Sequence, residues 1–180
     1  MPDLDRRSIL ALTAGVLTMA AKDQTAWDFS FPSIEGGTLD FATFKGRVLL
    51  VVNTASFCGY TYQYDSLEKL YTDKSKAGVT VIGIPSQDFN QESAENGEVK
   101  TFCDTRFGID FPLAAISHVR GAKAAPFYLW VNAQKNWQPS WNFNKVLIGR
   151  DGRIIATYGS GEEPNGPTIS AAIEAALGSA

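Results

Sequence analysis

Residues 48–71 read VLLVVNTASFCGYTYQYDSLEKLY, and the fold turns on how this stretch divides. Val48 to Val52 is apolar without alternation, the pattern of a parallel strand buried on both faces. Asn53, Thr54, Ala55 and Ser56 end the run with small and polar residues. Helical spacing follows: Leu67, Leu70 and Tyr71 share a face, charges fill the other, and Gly78 supplies a stop. A second unalternating run, Val79 to Ile84, completes a β-α-β unit. Cys58, one of only two cysteines, stands between the first strand and the helix.

The rest of the chain extends this unit in both directions. AWDFSFPSIEGGTLDF, before it, alternates and carries Gly36-Gly37, which predicts a small N-terminal hairpin. After it, a polar loop from Ser86 to Asn96 leads to a helix over GEVKTFCDTRFG, with Val99 and Phe102 on one face and Gly108 past its end. A short strand is expected at FPLA from Phe111, then a helix over APFYLWVNAQ. Val146 to Ile148 and Ile154 to Tyr158 flank Arg150-Asp151-Gly152 as a hairpin, and TISAAIEAALG closes the chain as a helix. The sum is α/β: a mixed central sheet with flanking helices and an N-terminal β-hairpin, as a thioredoxin-like fold requires.

Residues 1–21 have a different character. Arg6-Arg7 precedes an apolar stretch from Ile9 to about Ala21, which ends in small residues. That is the layout of an export signal peptide, too short for a comfortable membrane span. The arginine pair resembles a twin-arginine signal, although Ile9 stands where Phe is usual. The expectation is a leader over 1–21, one domain over 22–180, and a periplasmic or otherwise exported location. The 180-residue chain has a net charge of −3 with scattered charges, which gives no sign of nucleic-acid binding. A single histidine, and cysteines 45 positions apart at 58 and 103, argue against a metal site, and no cofactor is called for.

Reactive groups of open α/β sheets collect beyond the carboxyl ends of the strands. Cys58 lies there, just before a helix whose free N–H groups and dipole favour thiolate, the nucleophilic form. Gly59 removes bulk beside it, and Thr61 offers a hydroxyl. The alternative is a buried structural cysteine, but such a residue belongs within the strand rather than after it.

GRVLLVVNTASFCGYT, residues 46–61, resembles the active-site signature of the glutathione peroxidases, including the core N-[VT]-A-S-x-C-G-x-T. The resemblance continues through VTVIGIPSQDF, VKTFCDTRFGIDFP and WNFNKVLIGRDGRI. It implies a thioredoxin-like fold, reduction of hydroperoxides, Cys58 as the peroxidatic residue, and Trp141 and Asn142 as polar supports. The second motif departs from the family's F-P-[CS]-[NG]-Q-F. Here it reads IPSQDF, with Asp88 at the Gln position, Gln87 one residue earlier, and the following loop one residue shorter. Either Asp88 takes the role, or Gln87 swings in, or the site runs on three supports, with Asp88 facing solvent as a further alternative.

Cys103 corresponds to the resolving cysteine of thioredoxin-dependent members, whose helix must partly unwind for the bond to form. A sulfenic acid on Cys58 would condense with it to a disulfide that a dithiol protein then reduces. A permanent disulfide and a buried unpaired thiol are the alternatives. Glutathione is the less expected reductant, because no basic cluster is evident near Cys58, although Lys69, Lys145 and Arg150 could approach in space. The insertion associated with family tetramers is missing, so a monomer is expected. A general thiol–disulfide oxidoreductase and a non-enzymatic redox sensor are the competing functions. The first of these wants CxxC, where Cys58 to Thr61 supplies CxxT.

Overall fold

The computed structural model describes residues 24–178. The leader assigned to residues 1–21 lies outside them. Strands β1 (Ser30–Pro32) and β2 (Thr38–Asp40) form the N-terminal hairpin. The main sheet has the order β4-β3-β5-β6, where β3 is Val48–Thr54, β4 Val79–Pro85, β5 Lys145–Ile148 and β6 Ile154–Tyr158. β3 and β4 are parallel, in register from Val48 opposite Val79 to Thr54 opposite Pro85. β5 runs antiparallel to both β3 and β6. Helix α1 (Gln63–Lys74) joins β3 to β4, α2 (Asn96–Phe107) and α3 (Pro126–Lys135) lie between β4 and β5, and α4 (Pro167–Gly178) ends the chain.

The unalternating strands follow from burial on both faces. Val48, Leu50 and Val52 pack with Leu67 and Leu70 of α1, Val99 and Cys103 of α2, and Ile169 and Ile173 of α4. Leu49 and Val51 point the other way, into Phe29, Phe31, Phe41 and the Phe127, Trp130 and Val131 face of α3. Each fully buried Leu or Val contributes about 1.5–3 kcal/mol, so β3 alone anchors both layers. α2 ends at Gly108 in the left-handed region (φ +59°), where the Gly108 N–H donates to Asp104 O and the Ile109 N–H to Cys103 O. This closure fixes the helix that carries the second cysteine.

One expected element is different. Phe111 to Ala114 forms no strand, only single bridges: Leu113 beside Gly83 and Ala114 beside Ser33. Pro112 has no N–H to give a ladder. Gly83 makes the approach possible, since a Cβ there would sit 2.5 Å from Leu113 Cδ2.

Candidate functional site

β3 delivers its last residues to a run of turns over 56–62, and α1 begins only at Gln63. Cys58 lies in these turns and is about nine-tenths buried. Its N–H donates to Thr61 Oγ1 (3.0 Å), and the Thr61 hydroxyl donates to Ala55 O (2.9 Å). Thr61 therefore shapes the turn rather than serving the sulfur. The Tyr60 N–H points at Cys58 Sγ (3.4 Å), a backbone donor aimed at the group that must carry negative charge. Phe57, beside it, is two-thirds exposed, so the sulfur lies just beneath the surface.

Trp141 and Asn142 come from the loop before β5, which Asn53 splices to the end of β3. Asn53 Nδ2 donates to Trp141 O (3.0 Å), Asn53 Oδ1 accepts from the Asn144 N–H (3.1 Å), and Asn53 O accepts from the Phe143 N–H (2.6 Å). Phe143 holds φ +61°, a strained value for a bulky residue, at this junction. The Trp141 ring is partly exposed and tilts against Phe89 at 5.3 Å, and the Arg120 guanidinium lies over the same Phe89 ring at 5.2 Å. Asn142 is fully buried, and its Nδ2 donates to Gln91 Oε1 (2.9 Å).

Gln91 connects the two halves of the site, because its carbonyl accepts from the Phe57 N–H (3.0 Å). The chain reaches it through Asn90, in the left-handed region at φ +56°. Gln87 is exposed and donates to Glu92 O (3.4 Å). Asp88 turns onto the loop that follows Phe111–Ala114. Its carboxylate meets His118 Nδ1 (2.6 Å) and accepts from the N–H groups of Val119 (2.6 Å) and Arg120 (3.2 Å). Partial burial opposes its ionisation, but these bonds outweigh burial and hold the carboxyl below its usual range. Glu92 is buried, with Oε1 accepting from the Ser56 (3.2 Å) and Ser93 (2.8 Å) N–H groups. Burial pushes its carboxyl up, and the bonds to Ser56 and Ser93 offset this in part.

A second polar network lies behind Asn142. Ser160 Oγ donates to Asn142 O (2.6 Å) and accepts from Asn144 Nδ2 (2.8 Å). Lys145 is fully buried, and its ammonium donates to Gln63 Oε1 (2.7 Å), Glu162 O (2.6 Å) and Ser160 O (3.2 Å). Burial lowers its pKa to about 8, against the opposing charges of Glu163 and Glu162. Of the other cations considered from sequence, Lys69 pairs with Asp73 on the surface, and Arg150 lies beside Gly78, at the opposite end of the parallel strands. Arg106, not singled out from sequence, lines a groove of about 480 Å³ with Ser56, Thr61, Tyr62 and Phe102.

Both cysteines are free. Cys103 is fully buried on the inner face of α2, in the same apolar cluster as Cys58. Burial pushes its thiol up to about 11. The Tyr64 hydroxyl works against this shift, and the charges of Glu92 and Asp104 add to it. Outside this buried face, Phe102 contacts both Phe57 (6.3 Å) and Phe107 (5.7 Å).

Comparison with known proteins agrees with this geometry. The sequence model described as glutathione peroxidase matches residues 26–132. A relative named hydroperoxy fatty acid reductase, from a Synechocystis species, is 37% identical over 169 residues, covering 88% of this chain and 99% of its own. The crystal structure of T. cruzi GPX1 superposes with a TM-score of 0.68 at 30% identity, covering 86% of this chain and 97% of its own. A thiol:disulfide interchange protein of the DsbE type from Chlorobium tepidum superposes with a TM-score of 0.63 at 18% identity, covering 86% and 96%, a likeness of thioredoxin-like fold alone. The chain belongs to the glutathione peroxidase family and is a peroxidase-type oxidoreductase.

Proposed function

We propose that this peroxidase reduces hydrogen peroxide and organic hydroperoxides through Cys58 and resolves the product through Cys103. The observation that carries the reading is the Cys58 sulfur just under the surface at the end of β3, with the Tyr60 N–H directed at it. The Cys58 thiolate attacks the peroxide oxygen, the O–O bond breaks, and the alkoxide leaves as an alcohol after gaining a proton. Cys58 is left as sulfenic acid. Cys103 condenses with it, releasing water and forming the disulfide. A dithiol protein restores both thiols by exchange.

Trp141 and Asn142 flank the reaction from the spliced loop, and Gln91 orients Asn142. Gln87 and Asp88 serve the fold of the loop that carries Phe89, Gln91 and Glu92 rather than the sulfur. The exposed Phe57, Tyr62 and Trp141 around the turn suit organic hydroperoxides with apolar chains. A dithiol protein is favoured over glutathione because Lys69 and Lys145 are engaged elsewhere and Arg150 is remote. The protein works as a monomer outside the cytoplasm, in keeping with the arginine-pair leader.

The test is direct. Reduced protein mixed with sub-stoichiometric peroxide consumes it faster than free cysteine does and forms an intramolecular disulfide. Rapid consumption by Cys58→Ser would refute the mechanism. Wild-type protein no faster than free cysteine would point instead to a general oxidoreductase or a redox sensor.

A further inference from the structure

Beneath the Cys58 turn lies a buried polar seam that the peroxide step does not use. Among the described residues, Thr54 Oγ1, Ser56 Oγ, Tyr64 Oη and Glu92 Oε2 are all buried without a hydrogen bond of normal geometry. Buried polar atoms are seldom left so, and four near one reactive site call for an explanation. Their neighbours are shared. Tyr64 Oη lies beside the Thr54 hydroxyl and the Cys103 thiol, and Glu92 lies beside the Ser56 side chain. The Glu92 charge acts on both Tyr64 and Cys103. Glu92 is fixed in place, since Oε1 is held by two backbone N–H groups, while Oε2 is buried beside the Ser56 side chain without a hydrogen bond of normal geometry.

Cys103 needs such a neighbour. Its thiol is kept protonated by burial, yet it must lose a proton to attack. We propose that Glu92 is the proton acceptor for Cys103 in disulfide formation, with the Tyr64 hydroxyl between them. This rests on the peroxidase reading above. Once the proton has left Cys103 in its buried place, α2 loosens, and the Cys103 sulfur bonds to the Cys58 sulfur as the S–O bond of the sulfenic acid breaks. The thiol proton passes to the Glu92 carboxylate and on to the departing hydroxide, which leaves as water. The balance is thiol plus sulfenic acid giving disulfide plus water, with no further reactant. The titratable groups facing Glu92 are Tyr64 from α1 and Cys103 from α2, with Lys100 and Asp104 acting on Cys103 along α2.

The test compares the second step with the first. Stopped-flow measurements give the rate of peroxide consumption and the rate of disulfide formation in one turnover. Glu92→Gln keeps an acceptor for the Ser56 N–H but is not a base. The ratio of second-step to first-step rate should fall at least about a hundredfold, the lower end of the usual contribution of a general base. Glu92→Asp should recover part of it. The wild-type second step should level off with pH below the Cys103 titration, whereas in Glu92→Gln it should keep rising towards pH about 11. An independent arm needs no peroxide. With one equivalent of dithiobis(nitrobenzoate), Cys58 takes the first aryl thiolate's place, and attack by Cys103 releases the second, so the same ratio is read from absorbance. This arm separates failure of the Glu92 assignment from failure of the peroxidase reading. Should Glu92→Gln not fold, Tyr64→Phe must lower the ratio at least threefold. A ratio within threefold of wild type in the variant that folds, or an unchanged pH profile, overturns the proposal.

Discussion

The two cysteines share one apolar cluster, yet the chain treats them in opposite ways. Cys58 sits on a turn, with a backbone N–H directed at its sulfur and an exposed Phe57 beside it. Cys103 is inside a capped helix, fully buried, with its thiol pushed up to about 11. One environment presents a sulfur to incoming molecules. In the proposed mechanism, the other withholds a sulfur in its protonated form until the first has reacted. The lesson is that two identical side chains can be given opposite environments by backbone geometry and burial alone.

The largest effect belongs to Cys58→Ser, which should slow peroxide consumption at least about a thousandfold in a stopped-flow assay. Cys103→Ser should keep the first oxidation but lose about a hundredfold in steady-state turnover driven by a thioredoxin-type dithiol, while turnover with glutathione should not require Cys103. If both variants lost the first oxidation equally, the division would fail.

A stability effect follows from the buried thiol. Its ionisation lies near 9 in the unfolded chain and near 11 in the fold, so between these values the unfolded chain releases its proton first. The fold should therefore lose about 2–3 kcal/mol as pH rises from 9 to 11, relative to Cys103→Ala, in denaturant titrations. Asn53→Ala, which unsplices the Trp141 loop, should cost about 2 kcal/mol by stranding buried partners and should lower kcat/KM. The smallest effect is at Asp88. Its depressed carboxyl stabilises the fold above its unfolded pKa, and that stability is lost as pH falls through the folded value. Asp88→Asn should flatten the acid limb of the melting curve and change peroxide consumption less than threefold.

What was legible in the sequence tracks how local its cause is. β3 and β4 announced themselves because burial on both faces leaves no alternation, and the β5–β6 hairpin because Asp151-Gly152 marks its turn. Cys58 could be found because strand end, small neighbours and signature all lie within sixteen residues. The Phe111–Ala114 strand failed because Pro112 and Gly83 together permit only a bridge. Counting from Pro85 placed Asp88 at the family's Gln position, but nothing local shows that it reaches a histidine thirty residues on. Gln91 and Glu92 were equally hidden. Their partners, Asn142 and Ser56, are chosen by the path of a loop that turns through Asn90 at positive φ.

The bridge at Gly83 has a consequence for how the molecule meets other copies of itself. β4 is an outer strand of the main sheet, and an outer strand offers a row of free amides and carbonyls to any similar edge. Here the Gly83 N–H donates to Pro112 O, Gly83 O accepts from the Ala114 N–H, and Pro85 O accepts from the Ser117 N–H. The irregular segment thus occupies the positions that a second sheet would need. A chain that unfolds and refolds among its own kind is protected there by a stretch that is not itself a strand.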